Sequence, residues 1–365
     1  MSELLKIGIT HGDINGIGYE ILLKTFSDIR LTEFFTPIIY GSAKSASYHR
    51  KVLNYKPINF YTITKAEDYN DGKLNLINCI KDEIKIDLGS PSPDAGEAAY
   101  MALDRASQDL KNGLIDALVT LPIHKDTIQN DHFSFPGHTE FLQERFGKGK
   151  KALMMMVCNN LRVALVTAHI PVRDVPDTIS KELILEKIRT LQTSLVRDFN
   201  LENPRIAVLG LNPHAGENGL LGKEEMDVII PAVAEAQKQT ILCAGPFPSD
   251  GFFGSGRFKE FDAILAMYHD QGLIPFKTLA MEAGVNYTAG LDIVRTSPDH
   301  GTAYDIAGKG IASDESFRQA IYLALDVIRN RSAYDEAHAN PLRKMFFDRS
   351  KDDEKLDLTK EEQED

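Results

Sequence analysis

His169, His214 and His269 each follow a short apolar run, and each is braced by a proline, a glycine or a carboxylate neighbour. Three imidazoles suit a borderline divalent cation such as zinc or cobalt. Their wide spacing excludes a single helical His-x-x-x-His motif, so only the fold can assemble them. The alternative is three independent loop histidines capping strand ends. The same arrangement recurs along the chain. Polar clusters follow five apolar runs: His11-Gly12-Asp13, Pro122-Ile123-His124-Lys125, Ala168-His169-Ile170-Pro171, Asn212-Pro213-His214-Ala215-Gly216-Glu217 and His269-Asp270-Gln271-Gly272. One histidine after a strand is ordinarily structural. Five such clusters predict one shared crevice, because ligands bind beyond the carboxyl ends of strands in open α/β sheets.

Further segments suit an anion. The glycines of Gly12-Asp13-Ile14-Asn15-Gly16-Ile17-Gly18-Tyr19-Glu20 permit close backbone approach ahead of a helix. Their spacing fails the Gly-x-Gly-x-x-Gly dinucleotide fingerprint, which excludes a Rossmann reading and leaves a plain tight turn as the alternative. In Pro136-Gly137-His138-Thr139-Glu140, Thr139 and free helix amides could hold a phosphate, or simply cap the helix. Lys277, Asn286 and Arg295 follow His269 at loop-like intervals. Beside an anion they would supply a point charge and a guanidinium fork; otherwise they are surface polarity. Lys125, Asp250 and Asp270 are candidates for a general base by chemistry alone.

The elements that must position these residues alternate. Residues 5–10, 37–40, 117–121, 162–167, 205–211 and 263–268 read as strands. Residues 18–26, 94–110, 177–196, 223–237 and 314–328 carry apolar residues at spacings of three and four and read as helices. Such alternation predicts an α/β fold with a mainly parallel or mixed sheet. Residues 151–158, Asn159-Asn160 and 161–167 predict a hairpin, so part of the sheet is expected to be antiparallel. No Pro/Gly linker marks a boundary, and the chain is expected to cross between lobes more than once.

Composition narrows the function classes. A net charge of -12 argues against broad nucleic-acid binding. No apolar stretch reaches membrane-spanning length, no secretory leader is visible, and the expected compartment is the cytoplasm. The three cysteines, Cys79, Cys158 and Cys243, are too dispersed to indicate a disulfide framework or a thiolate zinc site. Residues 346–365 form an acidic tail, expected to be solvated or disordered.

Six motifs in order carry a family resemblance. They are Gly-Asp-Ile-Asn-Gly-Ile-Gly-Tyr-Glu-Ile at 12–21, Phe-Pro-Gly-His-Thr-Glu-Phe-Leu at 135–142 and Ala-His-Ile-Pro-Val-Arg-Asp-Val-Pro at 168–176. Gly-Leu-Asn-Pro-His-Ala-Gly-Glu at 210–217, Ala-Met-Tyr-His-Asp-Gln-Gly-Leu at 266–273 and Arg-Thr-Ser-Pro-Asp-His-Gly-Thr-Ala at 295–303 complete the set. The chain resembles the 4-hydroxythreonine-4-phosphate dehydrogenases of vitamin B6 biosynthesis up to about residue 329. The family's fold is similar to that of isocitrate and isopropylmalate dehydrogenases.

The resemblance implies a two-lobed, three-layer α/β/α chain with the active site in the cleft between lobes. Residues 1–130 plus about 305–345 would form one lobe, and 131–304 the other, with the metal and dimer interface. It implies a homodimer with the active site at the interface and no nucleic-acid or membrane partner. A divalent ion (zinc, magnesium or cobalt) would be held by His169, His214 and His269 drawn from both subunits. Substrate contacts fall on His138, Thr139, Lys277, Asn286 and Arg295. NAD or NADP would lie against His300, Gly301, Thr302 and Asp305, in a stretch that looks like the adenine loop of those dehydrogenases. The implied reaction oxidises 4-phosphooxy-L-threonine, and same-fold enzymes acting on threonate or erythronate phosphate are the alternative. Some positions depart from the family pattern: Ile14-Asn15 for Pro-Ala, Tyr19 for Pro, His124 for Asn, and Ser249-Asp250-Gly251-Phe252-Phe253 for Ala-Asp-Thr-x-Phe.

Overall fold

The computed structural model describes residues 4–80 and 84–340. The acidic tail falls outside them. Twelve strands occur among the described residues. The first six are β1 (Lys6–Thr10), β2 (Thr36–Gly41), β3 (Tyr61–Ile63), β4 (Asn75–Asn78), β5 (Ala117–Thr120) and β6 (Leu153–Cys158). The others are β7 (Leu161–Leu165), β8 (Ile206–Leu209), β9 (Cys243–Phe247), β10 (Ala263–Ala266), β11 (Val285–Ala289) and β12 (Arg295–Pro298). The α-helices are α1 (Gly18–Thr25), α2 (Ala43–Val52), α3 (Pro93–Lys111), α4 (His138–Phe146) and α5 (Val175–Thr178), then α6 (Lys181–Arg197), α7 (Ile230–Lys238), α8 (Ser249–Gly254), α9 (His269–Ala280) and α10 (Glu315–His338).

All strands join one sheet in the order β3-β4-β2-β1-β5-β12-β11-β6-β7-β10-β8-β9. The two flanks are parallel, and the centre (β12-β11-β6-β7) is antiparallel. The expected hairpin is present: Cys158 pairs with Leu161 and Met155 with Ala164, and Asn159 takes the positive φ, 49°, that such a turn needs.

Strands buried on both faces read as continuous apolar runs. Ile39 packs into one core layer, whereas its neighbours Ile38 and Tyr40 pack into the opposite one. One face carries a single core, to which α1, α6, α7 and α10 contribute Leu22, Ile188, Val233 and Ile321. The other face is divided. Leu103 of α3 and Phe141 of α4 belong to one cluster, and Leu273 and Phe276 of α9 to another. The break between these clusters runs above the central strands, and that is where the site lies.

Three expectations need correction. Helix 177–196 is interrupted, because Ser180 leaves the helix and caps α6 by accepting from the Leu183 amide at 3.1 Å. Helix 223–237 begins as a π-helix, Glu225–Ile229, before α7. Helix 314–328 runs ten residues further. Its extension buries Arg331, whose Nε meets Asp198 Oδ1 at 2.7 Å while Nη2 donates to the Tyr287 hydroxyl at 3.0 Å. Strands β11 and β12 lay unrecognised in the sequence. They return the chain to the sheet centre, where Arg295 registers with Leu118 of β5, so the chain does cross the molecule repeatedly. No described helix is long and apolar enough to cross a membrane.

The loop after β1 is fixed by packing. A Cβ on Gly12 (φ 69°) would stand 2.3 Å from the Pro122 carbonyl oxygen, so only glycine fits. Buried Asn15 donates to Ser90 O at 2.9 Å and Ser92 Oγ at 3.0 Å, and its Oδ1 accepts from the Asp87 amide at 2.8 Å. Beneath them Tyr19 is stacked between His11 (5.3 Å) and His49 (5.0 Å). Both histidines are buried, and burial pushes each down to about 4.

That stack sets an acid limit on stability. The unfolded chain takes up protons on both imidazoles below about pH 6.5, while the native chain leaves them neutral until about 4. Their contribution is complete above pH 6.5 and lost on falling to 4, by up to about 1.4 kcal/mol per pH unit for each group. Urea midpoints should hold level from pH 8 to 7 and then fall, and His11→Phe should lower the slope between pH 6.5 and 4.5. An unchanged slope in that variant would remove His11 from the account.

Candidate active site

Three of the five strand-end clusters converge. Lys125 after β5, His169 after β7 and His269 at the start of α9 line one cavity of ≈ 260 Å³. The first turn of α4 adds His138, Thr139 and Glu140, and α9 adds Lys277. Strands β11 and β12 contribute Asn286 and Arg295. The other two clusters go elsewhere. His11 is enclosed in the core, and Asp13 accepts from the Tyr304 hydroxyl at 2.8 Å. His214 lines a separate cavity of ≈ 580 Å³ together with Asp250 and Asp270.

Arg295 dominates the electrostatics of the first cavity. It is 2% exposed. Its Nε and Nη2 donate to Thr120 Oγ1 at 3.0 and 2.7 Å, and Nη1 to Thr288 Oγ1 at 3.2 Å. None of these partners is charged, and burial brings the guanidinium down to about 10. It is still a cation at neutral pH. The ionised Glu140 on the same cavity wall raises it in part but makes no direct ion pair with it; a buried charge so incompletely paired is costly, and the arrangement suits a site that receives an anion. Four more enclosed atoms of its lining residues lack hydrogen-bond partners: His138 Nε2, Glu140 Oε2, Asn286 Oδ1 and His300 Nε2. Burial, then the positive charges of Arg295 and Lys125, hold His138 well below its ordinary value, so it faces the cavity as a neutral ring.

His169 and His269 stand side by side with ring centroids 6.1 Å apart. Each has its Nδ1 tied to a carboxylate, Glu140 Oε1 at 3.0 Å for His169 and Asp270 Oδ1 at 2.7 Å for His269. That leaves both Nε2 atoms free. Burial raises the Glu140 carboxyl, but the His169 bond, its own amide and Lys125 outweigh this and hold it below its ordinary value. Among the described residues no group of three or more His, Cys, Asp or Glu is arranged to hold a metal ion. The single chain therefore brings two of the three sequence-predicted ligands together and keeps His214 apart.

A third cavity, ≈ 430 Å³, adjoins the first and shares Lys277, Asp299 and His300 with it. Its walls are largely apolar, with Ile17, Met281, Ala303, Ile306 and Ile311, and Glu282 at one side. Of the expected cofactor residues, His300 lines both cavities and Gly301 the first. Thr302 and Asp305 line neither. The Thr302 carbonyl instead accepts from the Ile17 amide at 3.0 Å, and Asp305 is exposed. Lys277 is tethered, with Nζ 3.0 Å from Asp299 Oδ1.

Sequence reasoning missed Thr120, Thr288 and Glu140 as functional groups. A threonine closing an otherwise apolar strand was the available sign for Thr120. Glu140 lay inside a motif already singled out.

The site can be set beside known proteins. The family described as "Pyridoxal phosphate biosynthetic protein PdxA" matches residues 33–324. A 4-hydroxythreonine-4-phosphate dehydrogenase of Bacteroides thetaiotaomicron is 57% identical over 354 residues, covering 97% of each chain. A crystal structure of a 4-hydroxythreonine-4-phosphate dehydrogenase from Burkholderia phymatum superposes with a TM-score of 0.72 at 38% identity, covering 89% of this chain and 99% of that one. The corresponding Klebsiella pneumoniae structure gives 0.75 at 33% identity, covering 89% of this chain and 100% of that one. The expected likeness thus holds across nearly the whole described chain, and the protein belongs to the pyridoxal phosphate biosynthetic protein PdxA family.

Proposed function

We propose that this protein oxidises 4-phosphooxy-L-threonine with NAD, giving 3-amino-2-oxopropyl phosphate, carbon dioxide and NADH. The observation that carries the reading is Arg295, a buried cation that meets only threonine hydroxyls at the wall of the 260 Å³ cavity. A substrate phosphate would pair directly with its planar fork. Thr139 and the first amides of α4 stand on the same wall and suit the same anion. His138 and Asn286, each with an unpartnered enclosed atom, orient the amino acid end. Threonate and erythronate phosphates are the less favoured substrates, since the relative at 57% identity carries the 4-hydroxythreonine name.

The donor set fits a divalent cation. His169 and His269 are oriented by carboxylates on Nδ1, the usual outer-shell arrangement for a metal-ligating imidazole. When bound, a cation there supplies Lewis acidity that eases ionisation of the substrate hydroxyl, and a nicotinamide supplies the hydride acceptor. The chain's own residues do the rest. Of the three candidates for a general base, Lys125 stands on this cavity's wall, whereas Asp250 and Asp270 line the other cavity. The apolar third cavity suits the cofactor's adenosine half and keeps water from it. Its lining holds two carboxylates and one cation, Lys277, already paired with Asp299. A 2′-phosphate would meet Glu282 without an arginine fork, which favours NAD over NADP.

Third-ligand geometry favours a homodimer. His214 would enter the His169–His269 pair from the partner subunit, and exposed Ile170, Val172, Leu220, Leu221 and Ile274 would be covered by the contact.

Three outcomes test this reading. In an absorbance assay at the nicotinamide band with a panel of divalent metals, NAD should exceed NADP in kcat/KM by about tenfold or more; a preference for NADP would undo the charge argument. Arg295→Ala should cost about tenfold or more in kcat/KM, from roughly 1.5–3 kcal/mol of lost charge-assisted bonding. An unphosphorylated analogue should lose much less, and equal losses would remove Arg295 from the phosphate site. Finally, inactive His169→Ala and His214→Ala subunits should rescue each other on mixing. Random exchange makes about half the dimers mixed, each with one intact site of two, for about a quarter of wild-type activity. A mixture that stays inactive after proven exchange would put the three imidazoles within one chain.

A further inference from the structure

His214 is carried by a backbone that L-residues rarely adopt. Five consecutive residues, His214, Ala215, Gly216, Glu217 and Asn218, have φ of 55, 51, 79, 43 and 54°. Such a run persists only where surrounding groups over-determine it. The group that does so is Glu225, a carboxylate 1% exposed. Its Oε1 accepts from the amides of Leu211 and Asn212, both at 2.7 Å, and its Oε2 from Asn212 Nδ2 at 3.0 Å. The same side chain closes the space around the loop. A Cβ on Gly216 would meet Oε2 at 2.6 Å, and one on Gly210 would meet Oε1 at 3.2 Å. Glu225 thus grips the chain on both sides of His214. It is delivered there as the first residue of the π-helix Glu225–Ile229, an irregularity common at functional positions.

We propose that Glu225 is the positioning residue for His214, its buried carboxylate clamping residues 210–216 so that the imidazole is presented in one pose as a divalent-cation ligand. The inference rests on the metal reading given above. A carboxylate is required here because one oxygen must accept two backbone amides while the other accepts from Asn212. Glutamine can keep the first pair but presents its own N–H₂ to Asn212. Alanine leaves the Leu211 and Asn212 amides unpaired and Asn212 Nδ2 with Glu224 Oε2 alone, at 2.7 Å.

The test uses the full-length protein stripped of metal and titrated with Co²⁺ by calorimetry and visible absorption. Glu225→Gln should weaken Co²⁺ binding about tenfold and Glu225→Ala further, within the roughly 10–100-fold loss typical of groups that orient ligands. Inorganic phosphate binding to the metal-free protein, which reads the Arg295 cavity, should be unchanged in both. In the His214→Ala background, Glu225→Gln should add no further loss, because the two residues act as one unit. Should Glu225→Ala fail to fold, Glu225→Gln carries the same comparison. Wild-type Co²⁺ affinity in the Glu225 variants, or a parallel fall in phosphate binding, overturns the inference. A wild-type protein that takes no Co²⁺ overturns the metal reading and this inference together, whereas binding that ignores Glu225 overturns this inference alone.

Discussion

A guanidinium with no carboxylate in direct ion-pair contact sits in the middle of a twelve-stranded sheet, and much of the architecture answers to it. Arg295 can be held there only if β12 lies against β5, which supplies Thr120, and beside β11, which supplies Thr288. That in turn requires the chain to leave β5, build the far flank of the sheet, and come back. Helix α10 then packs over β12, β5 and β11 and covers the return. The helices on the opposite face cannot meet above the site, so their cores separate into two clusters with the cavity between them.

How much of this could be read in advance depends on what each residue contributes to the core. Strands β8 and β10 are apolar throughout, β1 and β5 apolar but for their ends, and all four declare themselves. Strand β12 is Arg-Thr-Ser-Pro, fully buried yet polar at three of four positions, and it reads as a loop. Helix α9 opens on His269-Asp270 and contains Pro275, so its period is broken where the chemistry is densest. The residue types at the site were legible because few other roles suit them. Their partition was not. Nothing in the spacing separates His214, in its left-handed segment, from His169 and His269, because the separation arises from a local backbone conformation that no residue period encodes.

Departures from the family pattern fall on packing rather than on the reacting groups. Ile14 packs with Tyr19, Ala95 and Ala98, and Asn15 fastens residues 87–92 to the loop after β1 by three hydrogen bonds. Tyr19 fills the gap between two buried histidines. His124 leans on Tyr304, centroids 5.5 Å apart, and that tyrosine bonds Asp13. His124 and Asp13 thus couple the loops after β5 and β1 to the segment 299–310 through Tyr304. The departures leave the Arg295 cavity as it is.

The first turn of α9 explains why the site is divided between two surfaces. Successive residues of a helix point about 100° apart, so His269 faces the Arg295 cavity while Asp270 reaches the cavity that holds His214. The two are joined by the 2.7 Å bond from Asp270 to His269 Nδ1. Gln271 extends the link by bonding Ser249 Oγ at 2.8 Å and accepting from the Met267 amide at 2.7 Å. One helix start thus ties the imidazole pair to the surface that presents the third imidazole. On the proposed dimeric reading, each subunit offers its pair on one side of this turn and its single histidine on the other. Any shift of α9 would then disturb both active sites of the assembly at once, which gives a physical reason for the polar bracing concentrated at its N-terminus.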